Sequence, residues 1–439
     1  MGGHKIIVMM LTFALLSSLT PVYLSTIVNT NNEQDCVTLY FFNGIYVLNS
    51  QLETTLVLET PQNISVANGF KQFVYHVYSY MLNYNESTEV YEFSLFYGSQ
   101  FYGFFLSKVI VCYMSYNKSL GYLKQALSDP RYKVGIDSIP DEIKMNYTKT
   151  PSSVVLERVV PEYESWFSRR YGYRVSEASN LGIAVTAAYF IMGEFIKYSE
   201  GTLPRSIEEV IETRRGDCDD MTRIVVELLS YYEIPAMMVY DYVYIPELGE
   251  INIQLENVTY LFVNNGPHAF PMAYIPGIGW LSLDFLAGSL LLYPAVIWGY
   301  TRETTVYEED IKETVELHRS IEAFQVIGVY SEEYVLKAGW LNESNIMQGM
   351  KSLLDSYISK YSKNQTITTP CTTTPSSQST TPTETSQAQD NPTSTFIEQT
   401  TRTEKRGSDP MVILIGIVIV QVVSLLIITH VIRLIKRQI

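Results

Sequence analysis

One cysteine of the chain stands where its thiol could act as a nucleophile. Cys218 follows Gly216 and Asp217, which suit a turn and a helix cap, and apolar residues recur behind it at helical spacing. The pattern predicts a helix that begins near Cys218. Its predicted buried face consists of Met221, Ile224, Val225, Leu228 and Leu229. A helix N-terminus favours a thiolate, but Asp219 and Asp220 oppose that effect, so the cysteine needs a base.

The base expected for Cys218 is His268. The other histidines are His4 and His430, in apolar terminal runs, and His76 and His318. A strand pattern begins at His268, a Pro-Gly turn follows, and a second strand pattern ends at Asp284. If the two strands pair as a hairpin, His268 and Asp284 fall near the same end. Asp284 could then hold one ring nitrogen while the other faces the thiol.

These motifs resemble the transglutaminase-like core of the papain-like cysteine superfamily. The resemblance rests on Arg-Arg-Gly-Asp-Cys-Asp-Asp, on the Ile-Pro-Ala after the helix, on His-Ala-Phe and on Gly-Trp-Leu-Ser-Leu-Asp. It covers residues 180–287 and implies Cys218 as nucleophile, His268 as base and Asp284 as the orienting carboxylate. It also suggests an archaeal-type, membrane-anchored surface protein.

Three positions depart from the pattern of that family. Phe270 replaces the usual tryptophan, Glu233 replaces the usual glycine before Ile-Pro, and Pro271 removes a ladder donor. The proline indicates an edge strand or a bulge. None of these changes removes a catalytic group, and the expected oxyanion donors are backbone N–H groups at the start of the Cys218 helix.

The surrounding elements predict an α+β fold with two regions. Residues 35–150 read as a β-rich N-terminal domain of unassigned fold, and residues 152–363 as the transglutaminase-like domain, a cysteine-bearing helix packed on an antiparallel sheet. Predicted strands are 37–42, 55–58, 90–96, 236–245, 268–275 and 280–285, and the run 107–116 is strand or helix. Predicted helices are 152–171, 181–198 and 204–213, with two closing helices in 308–361.

The two ends of the chain predict export and anchoring. Residues 1–28 read as a signal peptide or signal anchor, with an apolar core too short for a membrane span. Residues 411–432 read as one transmembrane helix and 433–439 as a cytoplasmic tail. Between them, the Ser/Thr/Pro-rich segment 364–409 reads as an extended stalk, as in O-glycosylated proteins. We therefore expect a single-pass membrane protein whose N-terminal ectodomain lies outside.

The remaining cysteines and the sequons fit an exported chain. Cys36 and Cys112 are candidates for a disulfide, whereas Cys371 could bridge two chains or stay free. No Cys or His pair has the spacing of zinc ligands, so neither a metal nor a cofactor is predicted. Candidate glycosylation sites are Asn63, Asn85, Asn117, Asn146, Asn257, Asn342 and Asn364.

The composition argues against one class of partner, and the motifs leave two functions open. The formal net charge of -15 with 18% charged residues argues against nucleic acid. The first function is acyl transfer on protein or peptide amides at the cell surface, as a cysteine peptidase or acyltransferase, with proteolysis favoured over cross-linking. The second is a non-catalytic surface module that keeps the fold to bind a cell-envelope protein or to build the envelope.

Overall fold

The computed structural model of the chain describes residues 34–362, except 67–68, 136–137, 202 and 343–344. The predicted signal segment, stalk, membrane span and cytoplasmic tail lie outside the described residues, as do Cys371 and Asn364. Within the described ranges, no helix is long and apolar enough to cross a membrane.

The described residues form a mixed α+β fold. The strands are, in chain order, β1 (Gln34–Ser50), β2 (Thr54–Leu58), β3 (Ile64–Ser65), β4 (Lys71–Tyr80), β5 (Asn83–Asn85), β6 (Val90–Leu95), β7 (Phe101–Met114), β8 (Lys197–Tyr198), β9 (Arg215–Gly216), β10 (Ala236–Tyr244), β11 (Glu250–Leu255), β12 (Val258–Val263), β13 (Asn265–Ile275), β14 (Gly279–Ser282), β15 (Ala295–Thr301) and β16 (Ile321–Ser331).

The helices lie between and after these strands. They are α1 (Tyr116–Ser128), α2 (Asp141–Tyr147), α3 (Val160–Tyr171), α4 (Asn180–Tyr189), α5 (Ile207–Thr213), α6 (Cys218–Tyr231), α7 (Glu308–Ser320), α8 (Glu332–Lys337) and α9 (Ile346–Ser362). Wider π-helical turns precede α3 at Val155–Val159 and follow α4 at Phe190–Phe195. Short 3₁₀ turns occupy Val175–Glu177 and Pro246–Leu248.

Two sheets dominate the fold. The larger has the order β11-β12-β16-β1-β7-β4-β3, and the smaller has the order β14-β13-β10-β15. A three-stranded sheet, β2-β6-β5, and the parallel pair β8-β9 complete the described strands. Helix α6 packs against β13 and β10, and every residue from Cys218 to Ser230 is buried. The smaller sheet and α6 therefore form the layers that position the predicted site.

The large sheet draws strands from both predicted domains. β1 pairs with β7 on one side and with β16 on the other, both antiparallel. Strand β12 joins the same sheet by parallel pairing with β16. The predicted boundary near residue 150 therefore does not separate two sheets, because the chain returns after the cysteine helix to complete the first one.

The prediction of two closing helices in 308–361 agrees with α7 and α9 but misses a strand between them. Strand β16 lies between α7 and α8, and all of its residues from Ala323 to Tyr330 are buried. Its run of β-branched and aromatic side chains suits an interior strand covered on both faces. Such an apolar run has no clear period, so it resembles the buried side of a helix.

Candidate active site

Local capping sets Cys218 at the first position of α6. Asp217 caps the helix, and Asp220 completes a capping box by accepting from the Asp217 backbone N–H. Gly216 permits this close turn, since a Cβ there would lie 2.8 Å from the Cβ of Asp220. The thiol thus lies at the N-terminus of a long helix, as the sequence predicts.

The smaller sheet brings His268 and Asp284 together. His268 lies on β13, and Asp284 follows the end of β14, which pairs antiparallel with β13. The Nε2 atom of His268 lies 2.9 Å from Oδ2 of Asp284. The hairpin therefore places base and carboxylate at the same end, with one ring nitrogen held by the carboxylate.

Backbone donors hold the Asp284 carboxylate in place. The N–H groups of Leu286 and Ala287 donate to Oδ1 at 2.9 and 3.2 Å, and the N–H of Ser289 donates to Oδ2 at 2.7 Å. Burial alone would raise the pKa of Asp284, but the charge and hydrogen bond of His268 and these backbone donors outweigh it and lower that pKa. Asp284 is therefore a carboxylate at neutral pH.

His268 links this carboxylate to the thiol. Burial would lower the pKa of His268, yet the charge of Asp284 and side-chain hydrogen bonds to Asp284 and Cys218 raise it well above its ordinary value. Because Nε2 is bonded to Asp284, Nδ1 is the nitrogen that remains for the thiol. The three predicted residues thus converge in one cluster, in the order thiol, imidazole, carboxylate.

The cluster is enclosed. Cys218 and His268 are 0% exposed and Asp284 is 1% exposed. Tyr240 of β10 lies near enough to Cys218 for their charges to interact, and its ring stacks on Trp298 with centroids 4.8 Å apart. A surface depression of about 320 Å³ lies between α3 and the π-helical turn after α4, but none of the three residues lines it. Because the sulfur is fully buried, a substrate reaches it only if neighbouring side chains move.

Three acidic residues lie beside Cys218, and two of them, Asp219 and Asp220, pair with arginines. Asp217, Asp219 and Asp220 each offer an oxygen within 4.8 Å of the others, a grouping that could hold a metal ion. The Arg223 guanidinium donates to Asp219 at 3.0 Å and also pairs with Asp220, while Arg205 donates to Asp220 at 2.7 Å. The two arginines offset most of the negative charge that would otherwise oppose a thiolate at this helix end.

The sequence reasoning missed Asp241, Ser289 and Arg223 as parts of this site. Asp241 interrupts the apolar run of β10, and a single acid in a buried strand is a signal that could have been used. The signals of Ser289 and Arg223 are weaker, because each lies in a segment that also suits a surface loop or helix face.

The departures from the family pattern have local explanations. Glu233 adopts a φ of 57°, the left-handed conformation for which glycine is usual. Pro271 lies neither in an edge strand nor at a bulge, because β13 lies between β14 and β10 and its register with β10 is regular. The β14 ladder begins only at Met272, so Pro271 stands at its end, where its carbonyl accepts from Leu283 at 2.9 Å.

The other predicted sites are distributed over the surface and the large sheet. Cys36 and Cys112 face each other across β1 and β7 and form a disulfide. Of the six described sequons, one asparagine, Asn85, is half-buried and the others are exposed. The exposed ones are Asn63, Asn117, Asn146, Asn257 and Asn342.

Two comparisons with known proteins return a match. A family model described as the transglutaminase-like superfamily matches residues 169–285, a range that contains Cys218, His268 and Asp284. A solved structure from Cytophaga hutchinsonii, described as a candidate cysteine protease, matches at 14% identity and a TM-score of 0.35. The match covers 68% of this chain and 92% of that one. The comparison with curated proteins finds no match.

Neither match bears on an archaeal origin or on a membrane anchor. The family match is limited to the segment that runs from the end of α3 to the loop after β14. Within that segment the cysteine helix and the hairpin of the smaller sheet supply the thiol, the imidazole and the carboxylate. Residues 169–285 therefore match the transglutaminase-like superfamily, inside a longer chain.

Proposed function

We propose that the chain is a cell-surface thiol enzyme that transfers acyl groups from protein or peptide amides, with proteolysis as its main reaction. The observation that carries the proposal is the convergence of Cys218, His268 and Asp284, with His268 bonded to Asp284 at 2.9 Å. A nucleophile, a base and an orienting carboxylate in this order is the arrangement that activates a thiol.

The raised pKa of His268 and the lowered pKa of Asp284 define the resting charges. An imidazolium held between a carboxylate and the sulfur favours the thiolate form of Cys218. The Cys218 sulfur attacks the carbonyl carbon of the amide, and backbone N–H groups in the first turn of α6 are the nearest candidates to stabilise the oxyanion.

Proton transfer by His268 completes both halves of the reaction. As the C–N bond breaks, the imidazolium gives its proton to the leaving amine, and a thioester on Cys218 remains. Neutral His268 then takes a proton from water, whose oxygen attacks the thioester and releases a carboxylic acid and the Cys218 thiolate. The thiolate–imidazolium pair is thereby restored. If an amine replaces water, the same steps form a new amide, which is the cross-linking reaction.

A location outside the cell is part of the proposal. The Cys36–Cys112 disulfide is typical of oxidising compartments, and the exposed sequons would be accessible to modification. The signal-like segment 1–28 and the apolar segment 411–432 would supply export and anchoring. Protease treatment of intact cells should release a fragment that ends within 364–408, and protection of that segment would contradict the topology.

The burial of the sulfur favours a second candidate function. A thiol with 0% exposure needs an opening motion before it meets a polypeptide. A chain that never opens would keep the transglutaminase-like fold as a non-catalytic surface module that binds a cell-envelope protein or builds the envelope.

One assay separates these functions. The full chain and a Cys218→Ser variant are each incubated with an unfolded protein and a fluorescent primary amine, and the products are read by mass spectrometry. We expect new peptide termini with the wild-type chain alone. Incorporation of the amine would instead show that cross-linking is the main reaction. Identical products from the two chains would favour the non-catalytic binding module.

A further inference from the structure

A carboxyl group outside the proposed triad lies on the strand next to His268. Asp241 of β10 stands directly opposite His268 in the antiparallel β10–β13 register. Directly opposite residues project from the same face of a sheet, with Cβ atoms about 5 Å apart. Asp241 is 0% exposed, so its carboxyl group lies inside the protein on the face that carries the imidazole.

Few groups are available to satisfy this carboxyl. Among the described residues, neither of its oxygens has a hydrogen-bond partner of good geometry, and the same holds for the hydroxyl of Ser289. The charged neighbours that act on Asp241 are His268 from β13 and Asp284 from the segment after β14. On its other side, β15 presents the apolar Ile297 opposite Asp241. A buried acid without donors is expected to hold a proton.

We propose that Asp241 is a positioning residue that controls the charge of His268. The Asp241 carboxyl stays neutral while the thiol–imidazole pair works. When Asp241 loses its proton, it becomes a second negative neighbour of the imidazole. The inference rests on the proposed function, in which His268 must both hold and release a proton. A permanent second carboxylate beside Asp284 would hold the imidazolium too tightly for the proton to reach the leaving amine.

The electrostatics give the pH at which this change occurs. Burial raises the pKa of Asp241 to about 8, against the opposing effects of the His268 charge and the Ser289 hydroxyl, and the charge of Asp284 adds to the rise. Below that pH Asp241 is neutral and differs little from an asparagine. Above it Asp241 is a carboxylate and stabilises the imidazolium of His268 by attraction.

The test follows the ring of His268 by NMR in the full chain, with histidines labelled with ¹³C and the His268 signal assigned by His268→Ala. With Asp241→Asn we expect the same fraction of protonated His268 as in the wild type below pH 7. At higher pH the midpoint of the His268 titration should fall by about one pH unit, because the second negative charge is missing.

Glu59→Gln is the matched control. Glu59 is a second buried carboxyl whose oxygens lack partners, and burial raises its pKa to about 8 as well. Its neighbours are Asn43 and Tyr260 of the large sheet, not His268. The control substitution removes a similar titrating group, and the titration of His268 should stay as in the wild type.

A second variant keeps the proposal testable if Asp241→Asn does not fold. Ser289→Ala removes a hydroxyl that favours ionised Asp241, so the His268 midpoint should fall in the same direction by a smaller amount. The proposal is overturned if His268 in the folded variants titrates as it does in Glu59→Gln. It is also overturned if the protonated fraction of His268 changes as much below pH 7 as above it, which would indicate a merely structural role. The titration needs no substrate, so an inert Cys218 would refute the enzyme and leave this result standing.

Discussion

At the scale of single residues, the site depends on charges that are kept in place by burial and by backbone donors. Asp284 accepts from three backbone N–H groups and from His268, so it has little freedom to rotate or to take up a proton. His268 owes its raised pKa to that carboxylate, against the effect of its own burial. The reactivity of Cys218 therefore depends on a residue that does not touch the sulfur.

The pH dependence of folding follows from the same two shifts. The raised pKa of His268 stabilises the fold fully below the unfolded value of about 6.5, and this contribution is lost as the pH rises through the folded pKa. The lowered pKa of Asp284 stabilises the fold above about 3.9, and that contribution is lost as the pH falls through the folded value. The pair thus contributes most between about pH 4 and pH 6.5.

Replacing Asp284 by asparagine tests the dependence of the thiol on that charge. Without the carboxylate, burial lowers the pKa of His268, so the imidazolium that favours the thiolate is lost. We expect the pH at which Cys218 reaches half of its maximal alkylation rate to rise by about one unit or more in Asp284→Asn. A profile that matches the wild type, from protein with an unchanged near-ultraviolet circular dichroism spectrum, would refute this role.

At the scale of elements, the position of α6 depends on how closely its neighbours approach. Helix α4 packs against α6, and its first turn lies on the carbonyl of Pro130, which accepts from the N–H of Ser179 at 2.9 Å. A Cβ on Gly182 would lie 1.9 Å from that carbonyl oxygen. The glycine is therefore needed for close approach and not for an unusual backbone angle.

A pair of glycine substitutions checks this reading. Gly182→Ala should lower the free energy of unfolding by about 3 kcal/mol, because the obstacle is backbone. Gly121→Ala, in the exposed face of α1 where a Cβ meets nothing within 4 Å, should instead raise it by roughly 0.5 to 1 kcal/mol. Urea unfolding of both variants measures the contrast, and equal effects would show that Gly182 is not tightly packed.

The helices and strands also show which features could be predicted from the sequence. The cysteine helix and the His268 hairpin could be predicted, because a capping pattern and a turn each leave a local signal. Strand β16 was missed, since a strand that inserts between β1 and β12 is determined by contacts far along the chain. The convergence of His268 with Asp241 was likewise beyond local patterns, because it depends on the β10–β13 register.

At the scale of the whole molecule, the first and last described strands hold the large sheet together. β1 pairs with β16 over most of its length, so the chain segment before the transglutaminase-like domain and the segment after it close on each other. The disulfide between Cys36 and Cys112 fastens β1 to its other neighbour, β7, across a sequence separation of 76 residues. The domain that carries the site is thus built into a sheet fixed at both sides of β1.

Removing that disulfide should destabilise the fold. In the chain-entropy model a loop of this length contributes about 4 kcal/mol, so the double variant Cys36→Ala, Cys112→Ala should unfold at a lower urea concentration. A reductant should lower the midpoint of the wild type and leave the double variant unchanged. If neither the double substitution nor the reductant changes the midpoint of urea unfolding, the disulfide does not stabilise the pairing of β1 with β7.

The central claim, that His268 activates Cys218, is tested most directly by the rate at which iodoacetamide alkylates Cys218 in the full chain. Peptide mass mapping reports Cys218 and Cys371 in the same sample, so Cys371 serves as the internal reference. At pH 6.5 we predict that the alkylation rate of Cys218, divided by that of Cys371, is at least about tenfold higher in the wild type than in His268→Ala. The same ratio in the wild type and in His268→Ala would contradict the account.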